Sequence, residues 1–170
     1  MKIATWNVNS LRQRLHHVEQ WVNDSQVDVL CLQETKVTDS EFPTEPLKAM
    51  GFEHIAFWGE KSYNGVAICS KLPIDNVQKG FTASEHDPQT RLIVGTINGI
   101  RIYCCYVPNG HAVGSEKFHY KLQWLEKLQA ELTQDMMSHP LTVVLGDLNI
   151  APSDADVYDP FACEGQLLFH

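Results

Sequence analysis

Three apolar, strand-like runs in this chain each end on an oxygen-bearing side chain, and this pattern constrains the fold and its chemistry together. The polar residues, each with the run it follows, are Asn7 after 2–6, Glu34 after 27–33, and Asp147 with Asn149 after 141–146. Ligands of open α/β sheets sit in the crevice beyond the carboxyl ends of the strands, so we expect these side chains to gather there. Carboxylate and amide oxygens suit a hard cation such as Mg²⁺ rather than zinc. The pattern therefore predicts a magnesium and phosphate site at a sheet edge.

Hydrophobic periodicity predicts the elements between these runs and a layered α/β domain. Strands are predicted at 2–8, 27–33, 52–58, 65–70, 92–97, 100–107 and 141–146, with helices at 11–24 and 115–137. Ser10 is the expected N-cap of the first helix. The second helix carries an apolar stripe formed by Phe118, Leu122, Leu125, Leu128, Leu132 and Met136. Residues 35–50 are expected to form a loop with a short helix, and 75–90 a surface loop. With no internal linker, residues 1–170 are predicted to form a single domain.

Composition excludes several classes of function. The net charge of −8 argues against non-specific polyanion binding by a broad basic face, while a nucleic acid could still bind through a local groove and a metal ion. Five cysteines without a Cys-x-x-Cys pair favour reduced thiols in a cytoplasmic protein. No apolar stretch approaches the roughly 20 residues of a membrane helix, and the start does not resemble a signal peptide, so no membrane partner is expected.

Local sequence leaves two interpretations open at each candidate position. Asp147 and Asn149 lie two apart and would face one point, which suits orienting a water and holding a phosphate oxygen. The same residues are typical of a strand-ending turn. Glu34, at the mouth of a buried strand, would bind the metal, or would pair with Lys36 in solvent.

The amides and the tyrosine near these carboxylates are equally ambiguous. Asn7 and Asn9 share one face, and Asn7 is suited to hydrogen-bonding a metal-bound carboxylate, whereas a turn into the Ser10 cap would explain Asn9. Tyr106 could bond a phosphate oxygen with Asn109 beside it, or could be a core tyrosine whose hydroxyl is satisfied. The eight histidines share no ligand spacing, and neither a Gly-x-x-x-x-Gly-Lys loop nor a Gly-x-Ser-x-Gly elbow is present.

The motifs together resemble the nuclease branch of the endonuclease/exonuclease/phosphatase family. The resemblance recurs along the chain, at residues 6–12, 32–36, 63–67, 91, 106–110 and 146–160. It implies a two-sheet sandwich flanked by helices, with the site at one edge, and a monomeric, magnesium-dependent DNA repair enzyme in which manganese could replace magnesium. The implied activities are 3′–5′ exonuclease and abasic-site endonuclease on double-stranded DNA with abasic sites or 3′ ends.

The resemblance also implies a role for each residue. Glu34 and Asn7 would belong to the metal site, and Asp147 would orient or activate the attacking water. Tyr106 and Asn149 would contact the scissile phosphate, while Arg91 and Asn109 would contact DNA.

One departure from the family pattern concerns the end of the chain. The family continues to an aspartate-bearing strand and a closing Ser-Asp-His segment. Here Ser153 and Asp154 are followed by Ala155, and no aspartate stands immediately before His170. We therefore expect a fold whose carboxy-terminal portion is missing, the amino-terminal part of such an enzyme, weakly active or inert alone. Two rival hypotheses remain: an inert, fold-retaining binding module, and a phosphodiesterase acting on small phosphoesters.

Overall fold

A computed structural model describes residues 1–82, 87 and 89–169, which form two four-stranded sheets. In the first sheet the strands are β1 (Ile3–Asn7), β2 (Val29–Gln33), β3 (His54–Trp58) and β4 (Val66–Ser70), in the order β1-β2-β4-β3. In the second they are β5 (Asp75–Lys79), β6 (Leu92–Ile97), β7 (Ile100–Tyr106) and β8 (Thr142–Asp147), in the order β5-β6-β7-β8.

In the described residues, four α-helices connect or follow these strands. They are α1 (Leu11–Ser25), α2 (Thr44–Ala49), α3 (Glu116–Asp135) and α4 (Pro160–Cys163), with 3-10 turns at Asp39–Glu41 and Asp154–Asp156. In the part of the chain that the structure describes, none of the helices is long and apolar enough to cross a membrane.

The core consists of three layers of apolar contact. Between the sheets, residues such as Cys31 and Ile68 of the first sheet pack with Ile93 and Cys104 of the second. On the outer faces, α1 covers the first sheet and α3 covers the second, where Trp124 is buried. Burying each large apolar side chain contributes about 1.5–3 kcal/mol, so both helices are held by their apolar faces. The predicted two-sheet sandwich flanked by helices is confirmed.

Two parallel strand pairs determine where the site lies. β1 pairs with β2 so that Asn7 lies opposite Gln33, and β7 pairs with β8 so that Tyr106 lies opposite Asp147. In each pair a helix provides the crossover that parallel strands require. Each parallel pair therefore carries its candidate site residues at the carboxyl ends of both strands.

The predicted loop at 75–90 is partly wrong, because its first five residues form β5. This edge strand is mostly exposed, and its pairing with β6 shifts register between Asp75 and Gln78. A polar, irregular edge strand lacks the alternation of apolar residues that reveals a strand in sequence. Residues 83–86 and 88 of the predicted loop, and His170, lie outside the described residues.

The structure also corrects two details of the helices. Leu122 and Met136 of the predicted α3 stripe are exposed, and α3 instead buries Lys121 and Trp124. Ser10 occupies the N-cap position of α1 without a capping bond from its side chain. Its backbone N–H donates to the Glu34 carbonyl at 2.7 Å, so the start of α1 is satisfied by the loop after β2.

Candidate active site

The Asn7 side chain joins the two carboxylates that the sequence places far apart. Its Nδ2 donates to Glu34 Oε1 at 2.8 Å and to Asp147 Oδ2 at 2.8 Å. These residues come from β1, the loop after β2 and the end of β8, so one amide links the edges of both sheets. A half-buried amide that donates both N–H groups to carboxylates fixes their spacing.

Glu34 is held in place by charge as well as by the Asn7 amide. Lys36 Nζ lies 2.7 Å from Glu34 Oε2 and donates to Asn9 Oδ1 at 2.5 Å. Burial alone would raise the pKa of Glu34, but hydrogen bonds from Asn7, Lys36 and Tyr106 outweigh it and lower the pKa. Glu34 therefore contacts both Lys36 and Asn7; the pairing with Lys36 is present, and metal binding by Glu34 remains a prediction.

Asp147 and Asn149 form a turn and also contribute to the site. The Asn149 N–H donates to Asp147 Oδ1 at 3.2 Å, and Asn149 adopts φ +48°. The preceding Gly146 has φ +144°, and a Cβ there would lie 1.9 Å from the Cys105 carbonyl oxygen. Only glycine lets β8 approach β7 so closely, which brings the Asp147 carboxylate to Asn7.

Tyr106 and Arg91 form a stacked pair beside Glu34. The Arg91 guanidinium lies 4.6 Å from the centre of the Tyr106 ring, and Arg91 Nη1 donates to the Tyr106 carbonyl at 3.3 Å. Burial and the negative charge of Glu34 raise the pKa of Tyr106 to about 12. The phenol therefore stays protonated at neutral pH and can donate a hydrogen bond.

Asn109 is exposed and forms a hydrogen bond with Asn149. Its Nδ2 donates to Asn149 Oδ1 at 3.3 Å, while Asn149 Nδ2 donates to the Val107 carbonyl at 2.9 Å.

A cleft of about 490 Å³ opens beside Asn109; its lining includes Arg91, Asn109, Tyr63, Asn64 and Lys117. All seven predicted site residues are thus brought to one region. Their roles remain predictions.

Sequence reasoning missed Lys121 and underrated Lys36. The sequence offers Lys36 only as a solvent partner of Glu34, yet Lys36 also donates to Asn9 Oδ1. Lys121 is not part of the predicted apolar stripe, yet it is buried and donates to the Asn149 carbonyl at 2.6 Å. Its one sequence signal is its spacing of three from Phe118 and from Trp124, which puts it on their face of α3.

The donor set fits a magnesium ion. Among the described residues no group of three or more His, Cys, Asp or Glu side chains could hold a metal. Mg²⁺ does not need one, because it commonly uses one or two carboxylates together with waters and substrate phosphates. Glu34 and Asp147, linked through Asn7, match that requirement. The N–H groups of Asn7 point to the two carboxylates, and its side-chain oxygen accepts the Asn9 N–H at 3.0 Å. In this geometry Asn7 supports the carboxylates by hydrogen-bonding to them.

Known proteins share both the sequence pattern and the fold. The Endonuclease/Exonuclease/phosphatase family matches residues 4–167. Exodeoxyribonuclease III of Haemophilus influenzae is 33% identical over 162 residues, covering 92% of this chain and 60% of that protein.

Two solved structures superpose closely on the chain. A 3′ phosphatase, NExo from Neisseria, bound to a product DNA hairpin, is 43% identical with a TM-score of 0.95, covering 99% of this chain and 65% of the other. An AP endonuclease from Archaeoglobus fulgidus is 42% identical with a TM-score of 0.93, covering 100% of this chain and 66% of the other.

The chain is thus shorter than the proteins it matches, spanning 60% of the length of the Haemophilus influenzae relative. The match nevertheless extends over nearly all of the described fold, including both sheets and every candidate site residue. On sequence and structure together, the chain belongs to the endonuclease/exonuclease/phosphatase family.

Proposed function

We propose that the complete protein is a magnesium-dependent nuclease of DNA repair that hydrolyses DNA phosphodiester bonds. Its proposed activities are a 3′–5′ exonuclease and an abasic-site endonuclease acting on double-stranded DNA. The observation that carries the proposal is the Asn7 amide, which holds Glu34 and Asp147 at one point beside Tyr106 and Asn149. The related exodeoxyribonuclease III and AP endonuclease support it.

Each side chain has a task in this proposal. Glu34 would hold the metal, supported by Asn7, and the bound cation would supply Lewis-acid stabilisation of the departing oxygen. Asp147 would orient the attacking water and accept its proton. Tyr106, protonated, and Asn149, whose Nδ2 carries two N–H groups, would donate to the phosphate oxygens as negative charge builds up.

DNA would approach along the cleft beside Asn109. Arg91 and Lys117 line this cleft together with the exposed Tyr63 and one acid, Glu60, so cationic and aromatic side chains lie at the cleft despite the overall charge of −8. Basic side chains contact phosphates and aromatic rings can stack on bases, as nucleic-acid sites require. We further propose that the protein acts as a monomer in the cytoplasm, where its five free thiols would stay reduced.

The test is metal-dependent cleavage by the complete protein and by its Asp147→Asn variant. Substrates are a duplex with one abasic site, a duplex with a recessed 3′ end, and a soluble small phosphodiester. We expect cleavage of both duplexes in Mg²⁺, none in excess chelator, and kcat lowered about 10²- to 10³-fold by Asp147→Asn.

The matched control is Asp24→Asn, an exposed aspartate of α1, which should leave kcat unchanged. Equal turnover by the Asp147 variant, or cleavage that persists in chelator, would contradict the proposal. Turnover confined to the small phosphodiester would support the rival phosphodiesterase instead.

A further inference from the structure

Lys121 is a buried cation that has no carboxylate partner within the described part of the chain. It lies on α3 with 2% of its surface exposed. Among the residues that the structure describes, no carboxylate oxygen lies within 4.0 Å of its Nζ. Burial lowers the pKa of this lysine, because the charged form loses hydration.

Three backbone carbonyls surround the Lys121 ammonium instead. Nζ donates to the Asn149 carbonyl at 2.6 Å and, over longer distances of 3.4 Å each, to the carbonyls of Asn109 and Leu167. An ammonium has three N–H groups, so all of them are engaged. Two of the three acceptors belong to Asn149, which is proposed to contact the phosphate, and to Asn109, which is proposed to contact the DNA.

The path of the lysine stem depends on Gly110, the residue after Asn109. Gly110 has φ +95°, and a Cβ there would lie 3.1 Å from Lys121 Cδ. The loop after β7 therefore packs closely against the Lys121 stem, and the ammonium at the end of that stem contacts the loop after β8. The same two loops also meet on the outside, where Asn109 Nδ2 donates to Asn149 Oδ1 at 3.3 Å.

A buried ammonium is a costly way to fill this position. Leucine or methionine on the same face of α3 would contribute apolar burial without the desolvation penalty of an ammonium. In exchange, the lysine supplies three charge-assisted bonds from one helix: one to the loop after β7, one to the loop after β8, and one to the segment after α4. We propose that Lys121 is a positioning residue that holds the backbones of Asn109 and Asn149 so that their amides face the substrate.

This inference deepens the proposed nuclease function and rests on it for its kinetic test. In the complete protein, Lys121→Met is compared with Lys121→Arg and with Lys127→Met, an exposed lysine on the same helix. We expect Lys121→Met to lower kcat on the abasic duplex at least about 10-fold, with a smaller change in KM, because oriented donors act mainly in the transition state. Lys121→Arg should recover most of kcat, and Lys127→Met should leave it unchanged.

Thermal melts give the folded fraction of each variant, and each kcat is divided by that fraction. The corrected kcat separates a positioning effect from a simple loss of stability. If Lys121→Met and Lys127→Met have equal kcat after this correction, the proposal is overturned. Where the methionine variant does not fold, Lys121→Gln, which is neutral and has fewer N–H groups, takes its place in the same comparison.

A second readout does not depend on turnover. The side-chain amide signals of Asn109 and Asn149 in ¹H–¹⁵N spectra should move in Lys121→Met and stay in place in Lys127→Met. If they stay in place in both variants, the positioning role is excluded, whatever the cleavage assay shows. If the wild-type protein cleaves no DNA while these signals still move, the nuclease proposal fails and the positioning of the two loops stands.

Discussion

Glu34 shows how much of this site depends on one residue's backbone and charge. It adopts φ +53°, a left-handed conformation that a residue with a side chain adopts at a cost of about 1–2 kcal/mol. The conformation turns the chain out of β2 so that the carboxylate meets Asn7 and Lys36. Strain of this kind persists where surrounding contacts hold it, and it is common at functional sites.

We predict that Glu34→Gln lowers the apparent affinity of the complete protein for magnesium. The substitution keeps the size of the side chain but removes the negative charge proposed to hold the cation. The Mg²⁺ concentration needed for half-maximal cleavage should rise about tenfold or more, since such carboxylates supply much of the affinity. A magnesium titration of the complete protein measures it, with Glu53→Gln, an exposed glutamate, as the control. An unchanged midpoint would remove Glu34 from the metal site.

The same residue should make stability depend on pH in acid. The pKa of Glu34 is lowered in the folded protein, so its contribution is fully present above the unfolded pKa of about 4.3 and is lost as pH falls through the folded pKa. The difference in free energy of unfolding between wild type and Glu34→Gln should therefore shrink as pH falls below about 4.3. Urea unfolding at a series of pH values tests this. A difference that stays constant down to pH about 2 would contradict it.

At the scale of elements, Asp135 joins the C-terminal end of α3 to the second sheet. Its carboxylate accepts hydrogen bonds from Arg101 Nε at 3.0 Å and from the Tyr103 hydroxyl at 2.6 Å, and His139 Nδ1 lies 2.8 Å away. Arg101 is buried, and Asp135 is its one carboxylate partner among the residues that the structure describes. The network holds the C-terminal end of α3 on the second sheet, whereas Lys121 lies near the N-terminal end of the helix.

We predict that Asp135→Asn destabilises the fold by about 3 kcal/mol, because it leaves a buried guanidinium without its counter-charge. Denaturant unfolding measures this loss against Glu126→Gln, an exposed change on the same helix that should have little effect. Magnesium-dependent kcat, corrected for the folded fraction, should stay near that of wild type. A loss below about 0.5 kcal/mol would mean that the network is not coupled to folding.

At the scale of the whole molecule, the described sheets each have an open edge beside the site. β1 pairs only with β2 and β8 only with β7 among the strands that the structure describes. Val144, Leu148 and Ile150, in or just after β8, are between 38% and 45% exposed. An unpaired strand edge with exposed apolar side chains favours association with other chains.

The polypeptide of residues 1–170, prepared alone, should therefore self-associate. Replacing Val144 and Leu148 together with lysine should reduce this association, since charges on an edge strand oppose pairing. Light scattering across a concentration series measures the effect, and Val113→Lys, an exposed valine outside the sheets, is the control. A monodisperse monomer at all concentrations, with or without the substitutions, would contradict the prediction.

Patterns with a strong physical signal were sufficient to predict much of this molecule. Buried strands such as β2 and β4 follow from continuous apolar runs, because both of their faces are covered. The helices α1 and α3 follow from apolar residues at helical spacing. Strand β5 escaped prediction because an exposed edge strand has no such face. Lys121 escaped because residue type alone assigns a lysine to solvent.

The sequence by itself determined that oxygen-bearing side chains end the strands beginning near residues 2, 27 and 141, and hence the kind of chemistry to expect. Only the tertiary structure decided that Asn7 meets both Glu34 and Asp147, across a separation of 140 residues in the case of Asp147. The physical reason is that this meeting depends on how the two sheets pack and on the close approach of β8 to β7 at Gly146. Both are properties of the assembled core, which no single segment of the chain encodes.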